Sequence, residues 1–408
     1  MNTKVDINLA AVKIMWLFLM MRVTLVDQSI WMLIELTGCI LCTIYVVTNI
    51  KYISKNALVL VIMFALSYLV PTLVNRENNG LWITYTGVKF AWKIVLYFAV
   101  SWIAIRKRGS NKVAKASWDG LMIYWVPSII TVFAQGRNVI DNANNVYFIG
   151  NKFQIAYLNV VMLCLLLFLN EGKSENRKGG FALRIRYKKI GIFLFCVMIV
   201  LLDYYMKAYT GLFMILFILI LAILSRYLQF RISRKWTGFI NFISKPLIVV
   251  VSVVASGAVA IILEAVMNIP TIETYLASIG KTGNIFSRTL IYKNLAGIIE
   301  KKPWIGYGYG SAIVSRYFGP NAQNGLAQVM IYTGILGAFF MLLMIFYCCK
   351  VGGGQNKSSQ TASFLYAIYA FILSATVEIT YSGTFFILLA FYCACGWEKR
   401  LSRGYIYE

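Results

Sequence analysis

Histidine is absent from this 408-residue chain, and acidic residues are scarce. Without imidazole the chain can hold neither a histidine-ligated metal site nor a histidine general base. No Asp-x-Asp motif of the kind that holds a divalent metal appears in the predicted outer segments, and no nucleotide-sugar site is evident. The eight cysteines lie within or at the ends of apolar runs, so we interpret them as buried thiols rather than zinc ligands or disulfides. We therefore expect no metal and no cofactor.

Apolar runs fill most of the chain, which is 60% hydrophobic with a mean hydropathy of +0.72. These runs are too many and too long to be buried in one or two soluble cores. Because lipid offers no hydrogen-bond partners, each spanning backbone must satisfy its own, as a helix does. We predict an all-α polytopic integral membrane protein, a single membrane domain over 1–408, with about twelve transmembrane helices. The predicted spans are 8–26, 29–49, 56–74, 82–104, 116–134, 153–170, 190–206, 209–225, 247–266, 324–349, 361–379 and 383–397.

The net charge of +24 comes from 39 lysines and arginines against 15 acidic residues. Most of these cations lie in connectors between apolar runs, which indicates membrane topology rather than nucleic-acid binding. One alternate set of connectors, with Lys4, holds 25 of them, and the other set holds 10. The richer set faces the cytoplasm, so both termini are expected inside. Residues 1–6 lead into the first run without a small-residue cleavage site, so we expect no cleavable signal peptide.

This orientation leaves three outer connectors of interest, at 135–152, 203–208 and 267–323. A connector as long as 267–323 is uncommon unless it has a function. It carries six of the ten outer cations. The two halves of the chain show no internal repeat, so nothing favours an inverted-repeat transporter.

The long outer connector contains a predicted helix from Arg288 to Glu300, capped by Ser287 and ended by Pro303. Its apolar positions form an amphipathic stripe that can lie against the bundle or the lipid interface. The members of that stripe are Leu290, Ile291, Leu295, Ile298 and Ile299. An arginine in the first turn is mildly unfavourable for the helix dipole unless an anion lies there. The pattern thus predicts either a phosphate-binding arginine or a solvated surface arginine.

Several charges fall inside predicted spans. Lys89 and Lys93 are four residues apart and share one helix face, Glu35 lies in the second span, and Asp119 lies in the fifth. Intramembrane charges usually point inward and are paired. The two interpretations are a polar wall along a cleft for a carrier lipid, and a structural Glu35–Lys89 pair with Lys93 snorkelling to the interface. The second is the simpler.

A motif connects the outer connector to the late span. It consists of an arginine before a helix, then P-x-x-G-x-G-x-G, then an asparagine-containing span start reading N-x-x-L…G-x-x-G. The matching residues are Arg288, Pro303, Gly306, Gly308, Gly310, Asn321, Asn324, Leu326, Gly334 and Gly337. This motif resembles the signature of the O-antigen ligase and O-antigen polymerase superfamily. The first 110 residues resemble that family in topology only.

The resemblance implies a glycosyltransferase that uses an undecaprenyl-pyrophosphate-linked oligosaccharide as donor at the outer face of the membrane. A polymerase would join repeat units into an O-antigen or capsule, with membrane lipid and other polysaccharide-assembly proteins as further partners. The candidate catalytic residues are Arg288, which would grip the pyrophosphate, Asp203, Asn321, Gln323 and Asn324. The candidate substrate-binding residues are Lys207, Lys281, Lys293, Arg316, Gly306, Gly308, Gly310, Tyr307 and Arg137. The alternatives are an O-antigen-type ligase and a flippase for the same lipid-linked glycan.

Two departures from the family pattern bear on these alternatives. The family often has histidine before the late asparagine, where this chain has Gln323, so the base proposed for ligases is missing. The family's second outer arginine is replaced by Lys207, which can bind phosphate only as a point charge. Among the outer carboxylates Asp203 has the best case for a base, although good leaving groups can react without one. The other outer carboxylates are Glu264, Glu273, Glu300 and Glu378.

Overall fold

The computed structural model describes residues 6–135, 147–171, 182–231, 233–267, 282–310, 312–318, 321–353 and 359–401. Among them are fifteen α-helices and no strand, which confirms the all-α class. In chain order the helices are α1 (Ile7–Ile14), α2 (Gln28–Thr48), α3 (Lys55–Val74), α4 (Arg76–Arg108), α5 (Ser110–Gln135), α6 (Lys152–Glu171), α7 (Ala182–Tyr205), α8 (Tyr209–Arg231), α9 (Ser233–Ile243), α10 (Pro246–Met267), α11 (Thr282–Lys301), α12 (Ala312–Phe318), α13 (Gly325–Gly352), α14 (Ser359–Ser374) and α15 (Gly383–Leu401).

Five helices in the described part of the chain are long and apolar enough to cross a membrane. They are Gln28–Thr48, Lys55–Val74, Gly80–Arg108, Lys152–Glu171 and Gly325–Gly352. Six further apolar helices are shorter, and α5, which contains the predicted span 116–134, belongs to neither group. The chain is thus an all-α protein with helices suited to a membrane.

Two predicted spans run well past the end of the helix found. The first, 8–26, ends as a helix at Met20, because α1 continues as a π-helical stretch over Met15–Met20 and the chain then extends at Met21. The span 361–379 ends at Ser374, where the Phe371 carbonyl accepts from the Ala375 N–H at 2.9 Å and from Thr380 Oγ1 at 2.6 Å. A β-branched pair and a charge, Thr376 to Glu378, follow and do not favour continuation of the helix.

The main core is formed where α3, α4, α13 and α15 pack on one another. The helices α6, α8 and α14 form a second side of the same core, and α10 packs along α13. Aromatic side chains fill the centre, with Phe64, Phe385 and Phe386 fully buried and in edge-to-face contact. Seven of the eight cysteines are buried and all are free thiols, as expected.

A buried three-charge cluster connects α2 to α4. The Glu35 carboxylate bonds Lys89 Nζ through one oxygen, at 2.5 Å, and Lys93 Nζ through the other. The prediction of a Glu35–Lys89 pair is therefore confirmed, but the snorkelling of Lys93 is wrong. Lys93 is 15% exposed and turns inward because the second carboxylate oxygen lies within its reach. Asp119 instead forms an exposed pair with Lys115, at 3.1 Å.

Helix α11 extends further toward its N-terminus than the sequence suggests. It begins at Thr282 rather than at Arg288, so Arg288 lies in its second turn. Gly283 and Asn284 lower helix propensity by about 1 kcal/mol each at most, which does not stop a helix that packs on a bundle. The unpaired N–H groups of this helix therefore belong to 282–285, and the argument that placed them beside Arg288 is wrong. The predicted end is confirmed, since the helix stops at Lys301, just before Pro303.

Candidate functional site

The late helix α13 is broken inside its apolar length. Gly334 has φ +65° and ψ −169°, far from helical values, and separates an upper segment, 325–333, from a lower segment, 335–352. A break of this kind leaves carbonyls before it and N–H groups after it without helical partners. In a membrane those groups must be satisfied by other parts of the protein.

The segment 303–308, which we call the Gly-Tyr loop, supplies these partners. The N–H groups of Ile335 and Leu336 donate to the carbonyls of Pro303 and Trp304, at 2.7 and 3.2 Å. In return the N–H groups of Tyr307 and Gly308 donate to the carbonyls of Ile331 and Tyr332, both at 2.9 Å. Four backbone hydrogen bonds thus join the loop to both sides of the break.

This pairing depends on close backbone approach at glycines. A Cβ on Gly334 would overlap the Trp304 carbonyl group, and a Cβ on Gly306 would lie 2.6 Å from the Ile331 oxygen. Gly308 is equally confined, with its Cβ position 2.7 Å from the Thr72 Cα. All three have positive φ. The glycines of the sequence motif are therefore required by geometry that glycine alone meets without strain.

Beyond the paired residues, the loop continues into the bundle. The N–H of Tyr309 donates to Thr72 Oγ1 at 3.0 Å, and its ring stacks on Phe90 with centroids 4.4 Å apart. Tyr68 and Tyr332 contact the same ring, at 6.1 and 5.2 Å between centroids. Burial, with a smaller contribution from the Glu35 charge, raises the pKa of Tyr309 to about 12. This tyrosine is thus a neutral anchor in dry surroundings.

A lysine fixes the start of the loop. Lys302 Nζ bonds the Oδ1 of Asn75, a buried residue between α3 and α4, and lies 5.2 Å from the centre of the Tyr307 ring. The hydroxyl of Tyr307 donates to the Ile298 carbonyl at 2.8 Å. The loop therefore bonds to α3, α11 and α13, and it has little freedom to move independently.

The asparagine-rich segment before α13 is the second part of the site. Asn324 caps α13, accepting from the Ala327 N–H at 3.0 Å, while its Nδ2 donates to the carbonyls of Ser256 and Thr376. Its side chain is fully buried. The amide joins α10, α13 and the segment after α14, so its observed bonds are structural.

Residues 321–323, directly before this cap, make a tight turn. Asn321 Oδ1 accepts from the Gln323 N–H at 2.8 Å, and Gln323 has the left-handed φ of +52°. The hydroxyl of Tyr292 on α11 donates to the Gln323 carbonyl at 2.9 Å. A strained non-glycine residue is typical of functional turns. The turn presents Asn321 and Gln323, both partly exposed, beside α11.

Helix α11 covers this assembly. Leu295 and Ile298 are buried, and Ile291 and Ile299 pack with them on a small cluster that includes Val314 of α12. The predicted amphipathic stripe is confirmed at these four isoleucine and leucine positions. Its apolar face lies on the protein rather than on lipid.

Of the predicted cations, Arg288 and Lys293 lie on α11, and Arg316 is exposed in the last turn of α12. Both helices adjoin the Gly-Tyr loop and the turn at Asn321. Arg137 and Lys281 lie outside the described residues. The structure therefore brings the Gly-Tyr loop, the turn at Asn321 and the apolar face of α11 together, whereas the side chains of Arg288 and Lys293 lie outside its described part.

Asp203 and Lys207 belong to a different place, at the turn between α7 and α8. Asp203 is fully buried, and its Oδ1 accepts from Asn159 Nδ2 at 2.6 Å, while Asn159 Oδ1 accepts from Trp125. The second carboxylate oxygen has no hydrogen-bond partner among the described residues. A role for Asp203 as a base stays a prediction. The exposed Lys207 follows four residues later.

Comparisons with protein-family models, with characterised proteins and with solved structures returned no match. No group of metal-ligating side chains occurs among the described residues. The site rests on its own geometry, which is a broken helix completed by a glycine-rich loop, with a cation-bearing helix over it.

Sequence reasoning missed the partners of the loop. Thr72 of α3 and Asn75, the residue after α3, form hydrogen bonds with Tyr309 and Lys302 at the two ends of the loop, and Phe90 of α4 stacks on the Tyr309 ring. Asn75 lies between two apolar runs, which only weakly indicates a functional contact, whereas Thr72 and Phe90 look like ordinary span residues. Their role follows from tertiary contacts that no local pattern encodes.

Proposed function

We propose that this protein transfers glycan repeat units from a polyprenyl-pyrophosphate carrier at the outer face of a bacterial plasma membrane, polymerising them into a surface polysaccharide. The proposed topology has about twelve spans, with both termini in the cytoplasm and the connector 267–323 outside. The observation that carries the proposal is the junction at Gly334. The two parts of the sequence motif, which are distant in the chain, meet there through four backbone hydrogen bonds.

The cations of α11 and α12 suit a pyrophosphate donor. These helices carry Arg288, Lys293 and Arg316, and α11 contacts the turn at Asn321 through the bond from the Tyr292 hydroxyl to the Gln323 carbonyl. Arginine can bind two phosphate oxygens at once, and positive charge stabilises a leaving pyrophosphate as charge develops on it. The acceptor hydroxyl would then attack the anomeric carbon while the bond from that carbon to the pyrophosphate breaks, and its proton would pass to the departing pyrophosphate rather than to a strong protein base, in keeping with the absence of histidine. Asn321 and Gln323 would orient that hydroxyl.

A transporter is the second candidate, and the same break favours it. Discontinuous helices that end near the middle of the membrane are typical of binding sites in secondary transporters. A flippase for the lipid-linked glycan would use the junction to bind cargo rather than to cleave it. An O-antigen-type ligase remains the third candidate, and it would need a base other than histidine.

Purified protein with a synthetic pyrophosphate-linked repeat unit distinguishes these candidates. A polymerase converts the substrate into a ladder of longer products and releases carrier pyrophosphate. A flippase gives no product, and a ligase gives one transfer to a separate acceptor. Failure to elongate under conditions where the lipid-linked substrate binds would contradict the proposal.

Arg288 provides the residue-level test. Replacing it with Ala removes a charge-assisted contact of roughly 1.5–3 kcal/mol, so elongation should fall on the order of ten- to a hundredfold. Arg288→Lys should also be impaired, because lysine lacks the bidentate fork. Arg76→Ala is the matched control, since Arg76 is an exposed arginine on the same predicted side and outside the proposed site. Full activity of Arg288→Ala at equal protein level would exclude this donor site.

A further inference from the structure

A lateral groove that shares no lining residue with the Gly-Tyr loop lies between α5, α7 and the start of α8. Its volume is about 590 Å³. Most of its lining is aliphatic or aromatic, and several of these side chains are more than half exposed, such as Phe133 and Leu201. Representative lining residues are Ile129, Phe133, Leu194, Val197, Leu201 and Tyr209. In a membrane a groove with this lining accepts a hydrocarbon chain.

One end of the groove is polar. Tyr204, Tyr205, Lys207 and Tyr209 cluster at the turn between α7 and α8 and line the groove there. Tyr204 and Tyr209 are exposed, as is Lys207. Tyrosines beside a cation are typical of the membrane–water interface. The groove is thus amphipathic along its length, with an apolar body and, among the described residues, Lys207 as the cation at its mouth.

The backbone at Lys207 adds an independent observation. The Ala208 N–H donates to the Asp203 carbonyl at 2.9 Å, and the Lys207 N–H donates to the Tyr204 carbonyl at 3.1 Å. These two bonds form a Schellman motif that ends α7, and Lys207 is its left-handed residue, with φ +53°. Glycine is usual at this position because a Cβ there is strained. Glycine at position 207 would therefore give a less strained turn than the lysine that the chain has there.

We propose that this groove binds an anionic glycerophospholipid of the outer leaflet, with its phosphate at Lys207 and an acyl chain along α5 and α7. The one cation among the described lining residues, Lys207, matches a single phosphate charge, whereas a pyrophosphate would call for more. The N-terminus of α8, which begins at Tyr209 beside the headgroup, adds a favourable dipole. The site is independent of the proposed catalytic function, because it requires only that the helices lie in a membrane.

Binding can be measured by native mass spectrometry of the full chain with phosphatidylglycerol and phosphatidylcholine of identical acyl chains. Wild-type protein should retain phosphatidylglycerol about fivefold more tightly, the effect of one lysine near the surface. Lys207→Gln should lose this preference, and Lys207→Arg should keep it. Lys152→Gln, at another helix end on the same predicted side, is the control and should bind like wild type.

Lys207→Gly separates binding from folding. It should lose the preference for phosphatidylglycerol while its midpoint of thermal unfolding stays equal or rises, because glycine relieves the left-handed strain. Val197→Trp, which fills the groove, should weaken both lipids. An unchanged preference in Lys207→Gln or Lys207→Gly would overturn the proposal. So would a polyprenyl phosphate that displaces phosphatidylglycerol at equal concentration, since the groove would then be a carrier-lipid site.

Discussion

Single glycines decide whether the helix break can form. Gly334 and Gly310 have nearly the same positive φ, +65° and +67°, but different surroundings. A Cβ on Gly334 would overlap the Trp304 carbonyl, whereas the nearest atom to a Cβ on Gly310 is 3.6 Å away. An alanine at Gly310 would therefore suffer backbone strain alone, whereas an alanine at Gly334 would suffer both backbone strain and a steric clash.

We expect Gly310→Ala to lower the free energy of unfolding by roughly 1–2 kcal/mol, the cost of left-handed geometry alone. Gly334→Ala should cost clearly more and should also release the Gly-Tyr loop, because the alanine methyl pushes Trp304 away. Thermal unfolding in detergent, together with protease sensitivity of the connector 267–323, measures both effects. Equal losses in the two variants would show that the close approach at Gly334 contributes nothing.

The Glu35 cluster is a second feature at this scale. Its two lysines and one carboxylate are mostly buried, so removal of the carboxylate leaves two like charges facing each other. Glu35→Gln should therefore destabilise the protein by about 3–5 kcal/mol. The exposed Lys115–Asp119 pair is the control, since Asp119→Asn should cost only about 0.3–0.5 kcal/mol. Similar small shifts in unfolding midpoint for both variants would mean that the Glu35 cluster is well hydrated.

The sequence was informative about individual residues where local chemistry decides their role. It predicted the pair of Glu35 with Lys89, the end of α11 before Pro303 and the buried cysteines. It was wrong about Lys93, and it placed the start of α11 six residues late, because both depend on what packs nearby. The positive φ of Lys207 and Gln323 could not be predicted, since neither residue type signals a left-handed turn.

At the scale of elements, the Gly-Tyr loop supplies the backbone hydrogen-bond partners that α13 loses at its break. Its position depends on α3, where Thr72 Oγ1 accepts from the Tyr309 N–H and donates to the Tyr68 carbonyl at 2.6 Å. The periodicity of α13 predicted one continuous span, and only the glycine content near Gly334 hinted at a break. Tertiary contacts decide whether α13 can be broken, because the loop satisfies the backbone groups that the break would otherwise leave unpaired in lipid.

Thr72→Val tests this dependence. Valine has nearly the same shape but leaves the Tyr309 N–H buried without an acceptor, which should cost roughly 1–3 kcal/mol. If the loop is coupled to the proposed chemistry, elongation should fall as well. Thr84→Val is the control, because Thr84 is partly exposed and its hydroxyl donates to the carbonyl one turn earlier, at 2.9 Å. A neutral Thr72→Val would show that Tyr309 is held by ring packing alone.

At the scale of the whole molecule, composition alone predicted the all-α class, and the described helices confirm it. The count of about twelve spans rests on hydropathy and charge placement, whereas five helices meet both the length and the composition expected of a span. Short apolar helices such as Gly383–Glu398 are apolar because they are buried in the bundle, so their hydropathy reflects protein packing as well as any contact with lipid. Topology is therefore the property that most needs measurement.

Single cysteines in a cysteine-free background can report the two sides. Glu300 ends α11 and Lys350 ends α13, and both side chains are exposed. Under the positive-inside rule, a membrane-impermeant thiol reagent should label Glu300→Cys in intact cells and Lys350→Cys only after lysis. Labelling of Lys350→Cys alone in intact cells would invert the topology and move the proposed site to the cytoplasm.

The break at Gly334 also bears on how the chain is made. Synthesis runs from the N-terminus, so 303–308 leaves the ribosome before 331–336 and waits without its four partners. Until they arrive, those backbone groups need water, which keeps the loop out of the lipid during insertion. The lower segment, 335–352, is roughly 27 Å long at helical rise and nearly spans the hydrocarbon by itself. We infer that the translocon recognises this lower segment. The upper segment, 325–333, then enters the membrane when the Gly-Tyr loop forms its four hydrogen bonds on both sides of Gly334.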